Sequence, residues 1–226
     1  MATHPCTTSP KTHLARAALG VAVAAAVFGG QVTAAGADTG HEQPAAVTVH
    51  EQPAADKPEK APITATAAQV LALARSQIGT SEDADGGGTK YQKWYAASPR
   101  AEETVARDGG TTAGYLNAAW CSMFVSWVGD HIGAPSLVGW DAYTVAHAEW
   151  FAANNRFGDK PKPGAVVFFS WSGSKNMDDI QHVGFVVKDN GDGTISTIEG
   201  NTRGQVAARV RPKSQVVGYG YPDYAA

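Results

Sequence analysis

Residues 159–171 read DKPKPGAVVFFSW, and the chain changes character inside them. Upstream, apolar residues recur at helical spacing. After Gly164 they come in short β-branched and aromatic runs broken by turn residues. The runs are AVVFFSW (165–171), HVGFVV (182–187), TISTIEG (194–200) and the tail ARVRP … VVGYGYP (208–222). Helices first and strands afterwards predict an α+β domain with a small antiparallel sheet.

The helical half opens with TAAQVLALARSQIG (66–79). Thr66 and Gln69 have capping-box spacing, Val70, Leu71, Ala74 and Ile78 form one apolar face, and Gly79 is the stop. TSEDADGGGTKYQKWY (80–95) reads as an irregular polar region. A second helix starts near Trp120 and ends at Gly133-Ala134-Pro135, and a third covers DAYTVAHAEWFAA (141–153) with Asp141 as cap.

Outside this core the chain of 226 residues has slack at its N-terminus. A polar segment with Lys11 and Arg16, an apolar run AALGVAVAAAVFGG and a small-residue site at Ala35–Ala37 form the three parts of a secretory leader, residues 1–37. The run is too short and too rich in Ala and Gly for a membrane anchor. Residues 38–65 repeat the hexamer HEQPAA and hold almost nothing to bury, which predicts a disordered Pro/Ala-rich linker. His41 and His50 in that repeat are not read as a metal site. One catalytic domain at 66–226 remains, expected as a monomer.

Cleavage after Ala37 removes two basic and no acidic residues, so the formal charge of −3 becomes more negative. A mildly acidic exported protein lacks the clustered basic face that nucleic acid needs, and lacks a polybasic stretch for anionic membranes. The expected localisation is extracellular or wall-associated. Cys6 would leave with the leader, so Cys121 is expected as a lone thiol with no intrachain disulfide.

Cys121 falls in the first turn of the predicted helix at Trp120. Unpaired N–H groups and the positive end of the helix dipole favour a thiolate there. The alternative is an inert, buried small hydrophobe. A catalytic thiol needs a base, and the base needs a group to orient it. His131 and His147 lie in predicted helices beside polar residues and read as surface or boundary positions. His182 opens a strand, with Gly184 and Val186 on its face and Val183, Phe185 and Val187 on the other. Asn190-Gly191 is a strong hairpin signal. A two-residue loop there places His182 opposite Glu199, and Asn201 shares their face. A loop of odd length would break the arrangement.

WCSMFVSW, PGAVVFF, HVGFV and IEGNT, in that order, resemble the CHAP family, the cysteine- and histidine-dependent amidohydrolases/peptidases. The resemblance covers nearly all of 66–226. It implies a papain-like α+β fold and cleavage of amide bonds in bacterial peptidoglycan, with Cys121 as nucleophile, His182 as base, and Glu199 and Asn201 orienting and polarising His182. No metal or organic cofactor is implied. Ala165 stands where relatives often carry Asp. Asp83 and Asp85 only loosely resemble a calcium loop, and their spacing differs. YQKWY (91–95) and SWSGSKNMDD (170–179) could wall a substrate groove or be ordinary core and loop aromatics. A non-catalytic wall-binding module and a cysteine protease or acyltransferase for other amides stand as competing functions. No Gly-x-Ser-x-Gly elbow or His-Glu-x-x-His motif supports a serine or zinc hydrolase.

Overall fold

The computed structural model describes residues 64–83 and 88–226. The leader, nearly all of the linker with His41 and His50, and Asp85 lie outside the described residues. The order is α1 (Ala67–Ser76), α2 (Lys90–Ala96), α3 (Pro99–Asp108), α4 (Cys121–His131), α5 (Pro135–Val138) and α6 (Thr144–Ala153), then six strands. These are β1 (Phe157–Gly158), β2 (Val166–Phe169), β3 (His182–Asp189), β4 (Thr194–Glu199), β5 (Ala207–Pro212) and β6 (Val216–Gly220). They form one antiparallel sheet in the order β1-β6-β2-β3-β4-β5. The α+β expectation holds.

Both halves of the Thr66–Gln69 capping box are present in α1, and Val70, Leu71 and Ala74 are buried. Ile78 falls past the helix end and is 46% exposed, so it leaves the expected apolar face. Folded structure begins by Ala65, which is buried and accepts a hydrogen bond from the Ala225 N–H at 3.0 Å. The polar region differs more from expectation. Thr89 and Gln92 form a second capping box and start α2, so YQKWY is helical, with Tyr91 and Tyr95 fully buried. Tyr91 stacks on Trp120 at 5.2 Å, which makes it core and not groove wall. Ser98 then caps α3, with Pro99 at its start.

In α4 every residue from Cys121 to Gly129 is buried. Even its small side is covered: Ser122 and Ser126 both donate to the Asp141 carbonyl, at 2.8 and 3.0 Å. A Cβ on Gly129 would lie 2.8 Å from Val138 Cβ, so only glycine lets α5 pack there. Asp141 does not cap α6. Its Oδ1 accepts the Tyr143 N–H at 2.8 Å, and its carboxylate binds Arg107 at 2.8 Å and Arg100 at 3.2 Å.

The sheet buries two apolar layers. Val166, Phe168, Val183, Phe185 and Ile198 face the helices, with Phe124 of α4 against Phe185 at 6.2 Å. Ala165, Val167, Phe169, Val186, Ile195, Val216 and Tyr219 form a second, smaller cluster, with Trp171 and Tyr221 packed against it. The turn before β2 closes without the Asp of related sequences. Gly164 donates to the Val186 carbonyl at 2.8 Å and its own carbonyl accepts from the Tyr224 hydroxyl at 2.9 Å.

The β3–β4 hairpin departs from the expected register. Asp189 pairs with Ile195, leaving a five-residue loop closed by an Asn190 N–H to Thr194 carbonyl bond at 3.1 Å. An odd loop alone would separate the faces of His182 and Glu199. A β-bulge between Val186 and Lys188 inserts one more residue in β3 and restores the parity. Beyond the bulge Phe185 pairs with Ile198, which sets Gly184 opposite Glu199 and puts His182 one pair further along the same face.

Candidate active site

Glu199 is the centre of the arrangement. It ends β4, is 0% exposed, and has donors on both oxygens. His182 Nε2 lies 2.9 Å from Oε2. Arg211 on β5 grips the carboxylate with a fork, Nη2 to Oε2 at 2.6 Å and Nε to Oε1 at 3.0 Å. The Thr197 hydroxyl donates to Oε1 at 2.6 Å and the Thr202 hydroxyl to Oε2 at 3.2 Å.

Burial alone would raise the Glu199 pKa. The hydrogen bonds and charges of His182 and Arg211 outweigh it and hold the carboxyl well below the usual carboxylate range. An ionised carboxylate only accepts, so the hydrogen between the two residues sits on His182 Nε2. In an imidazole whose one hydrogen is on Nε2, the lone pair in the ring plane is at Nδ1.

His182 opens β3 and is 4% exposed. It pairs with Phe169 on β2. The Trp171 ring packs on the imidazole at 5.3 Å and stacks on Phe169 at 5.8 Å. Gly184 is required beside the pair, since a Cβ there would lie 2.7 Å from Glu199 Cγ. The space that Gly184 leaves is filled by the Glu199 side chain.

Cys121 is the first residue of α4, whose N-terminus has no side-chain cap. The residue after Glu199 lies against the start of α4. Gly200 marks the junction: a Cβ there would lie 2.5 Å from Phe124 Cβ and 3.0 Å from the Trp120 ring. Trp120 is itself held by its indole N–H on Glu82 Oε1 at 2.8 Å. Asn201 follows Gly200 with φ of 56°, a left-handed conformation that Asn tolerates better than most residues.

Of the four candidates, the structure joins His182 and Glu199 by a hydrogen bond and sets Asn201 two residues beyond Glu199. Cys121 is fully buried at the start of α4, and the expectation of a lone thiol turns on Cys6, which lies outside the described residues.

His147 also departs from expectation, being fully buried. Its Nε2 lies 2.8 Å from the Val138 carbonyl and its Nδ1 2.9 Å from Ser122 Oγ. Burial lowers its pKa, outweighing the Val138 carbonyl and the charge of Asp141. His131, partly exposed, stacks on Trp127 at 3.8 Å and matches the boundary reading. Among the described residues no group of acidic, His or Cys side chains is placed to hold a metal, and no helix is long and apolar enough to cross a membrane.

Residues 110–201 match the family model described as the CHAP domain. That segment is similar to the CHAP domain, which supports amidohydrolase or peptidase activity. No curated protein and no solved structure matches the chain. The matched segment runs from before α4 to Asn201 and holds all four candidate residues, but it ends before β5. Arg211 lies beyond it, and sequence reasoning passed over it too. Arg209 and Arg211 look alike in ARVRP, and only strand pairing tells which one reaches the carboxylate.

Proposed function

We propose that the protein is a secreted cysteine amidohydrolase/peptidase that cleaves amide bonds in bacterial peptidoglycan. The observation that carries the reading is the buried His182–Glu199 pair, which lies within the CHAP segment that also contains Cys121. The three-part leader in the sequence fits export to a wall substrate.

In this reaction His182 Nδ1 takes the thiol proton and the Cys121 thiolate attacks the scissile carbonyl carbon. The positive end of α4 stabilises both the thiolate and the oxyanion that follows. His182 passes its proton to the leaving amine, the C–N bond breaks, and a thioester remains. Water, deprotonated by His182, hydrolyses the thioester and returns the thiol. Glu199 holds the imidazole in its tautomer and orientation, and Asn201 polarises it. The nucleophile is the thiolate, so the reaction needs Cys121 reduced.

Turbidity of purified cell walls under a reductant tests the reading. The wild type should clear the suspension, and Cys121→Ala should not. Equal clearing by Cys121→Ala would remove the nucleophile. An intact wall alongside digested casein would redirect the assignment to protein substrates, and products carrying an added amine would redirect it to acyl transfer.

A further inference from the structure

We infer that Arg211 is a positioning residue for the proposed reaction, acting through Glu199 to keep the His182 hydrogen on Nε2; the inference rests on the hydrolase reading above. Four side chains from three adjacent strands and the loop after β2 close a ring. His182 bonds Glu199 at 2.9 Å, and Glu199 takes the Arg211 fork at 2.6 and 3.0 Å. The guanidinium lies 4.9 Å from the Trp171 ring, and Trp171 packs on His182 at 5.3 Å. The indole thus holds the cation and the imidazole at once.

Arg211 is placed to do this by register. It pairs with Ile195, while Glu199 pairs with Ala207, so the long side chain runs along the sheet face to reach the carboxylate. The titratable and charged groups against Glu199 come from both flanking strands, His182 on β3 and Arg211 on β5. Thr197 and Thr202 add neutral donors. A buried carboxylate facing only a neutral imidazole would be costly to keep ionised.

Without Arg211, the buried carboxyl takes up one proton from solvent and becomes a hydrogen-bond donor towards Nε2. To accept that bond Nε2 releases its own hydrogen to solvent while Nδ1 takes one up, so the neutral imidazole carries its hydrogen on Nδ1, where it can no longer accept the thiol proton. Arg211 prevents this exchange by holding Glu199 as an anion. The fork matters as well as the charge, because it fixes the carboxylate plane against which the imidazole aligns.

The test uses the full chain, reduced and labelled with [15N]histidine, with His182 resonances assigned by their loss in His182→Gln. Long-range proton–nitrogen correlation should show the Nε2–H tautomer in wild type. Arg211→Met should shift it to Nδ1–H, and Arg211→Lys, which keeps the charge, should retain Nε2–H. On walls, Arg211→Met should lose about a hundredfold in kcat with KM little changed, and the acid limb of its pH profile should move up.

An unchanged tautomer and pH profile with only a lower Tm would reduce Arg211 to a structural role and overturn the inference. If Arg211→Met does not fold, Glu199→Gln with and without Arg211→Met decides. No buried anion is stranded in that pair, and the second change should add no further loss. An added loss of the full size would sink the coupling. A wild type that leaves walls intact, while Arg211→Met still shifts the tautomer, refutes the hydrolase reading and leaves the Arg211 role standing.

Discussion

Two histidines are buried in this domain, His147 between α4, α5 and α6 and His182 on the sheet, and they differ in what their nitrogens meet. His147 has a hydroxyl and a backbone carbonyl, both neutral, and burial lowers its pKa. His182 has a carboxylate that is itself gripped by an arginine. Burial is nearly the same for both. The charged partner separates a residue that fills space from one equipped to move a proton.

Substituting each histidine gives the widest expected separation. His182→Ala should abolish wall clearing, a loss of about a thousandfold or more, while circular dichroism stays that of a folded protein. His147→Ala opens a cavity and strands polar partners, so it should cost about 2–4 kcal/mol of stability. Its folded fraction should keep most of its rate. Equal loss of rate per folded molecule in the two variants would erase the distinction.

Acid unfolding sharpens the same contrast. Both groups have pKa values lowered by folding, so both contribute stability that is present above the unfolded pKa and lost as pH falls. For His147 the loss begins below its ordinary value of 6.5. For Glu199 it begins only below its ordinary value of 4.5 and continues down through the depressed folded value. Denaturant midpoints against pH should therefore flatten in the upper window for His147→Gln and in the lower window for Glu199→Gln. A Glu199→Gln curve parallel to wild type at low pH would contradict the ion-pair account.

The smallest expected effect lies at the junction of helix and sheet. Gly200→Ala places a methyl 2.5 Å from Phe124 Cβ, and the required shift should cost about 1–3 kcal/mol. Wall clearing should fall further than thermal stability alone explains, because Gly200 separates Glu199 from Asn201. A variant as stable and active as wild type would show that this contact does not position the site.

Much of this was legible before any coordinates. The α1 capping box, the start of α4 at Trp120 and the strand-rich second half follow from spacing and periodicity. Thr89 and Gln92 carry the same cap signal as Thr66 and Gln69, yet the Gly and Asp run before them hid α2. The burial of His147 could not be read from its polar neighbours, because α4 and α5 cover it from distant positions in the chain.

The order of residues alone settled part of what is local: the first helix with its capping box, the helix that opens after Trp120, and the strand-rich second half. Tertiary structure decided what depends on pairing across the chain. An odd hairpin loop keeps His182 and Glu199 on one face only because a bulge offsets it, and Arg211 reaches Glu199 only because of the β4–β5 register. Local preferences act over a few residues. Register and burial come from the whole core at once, and the electrostatics of the site follow from them.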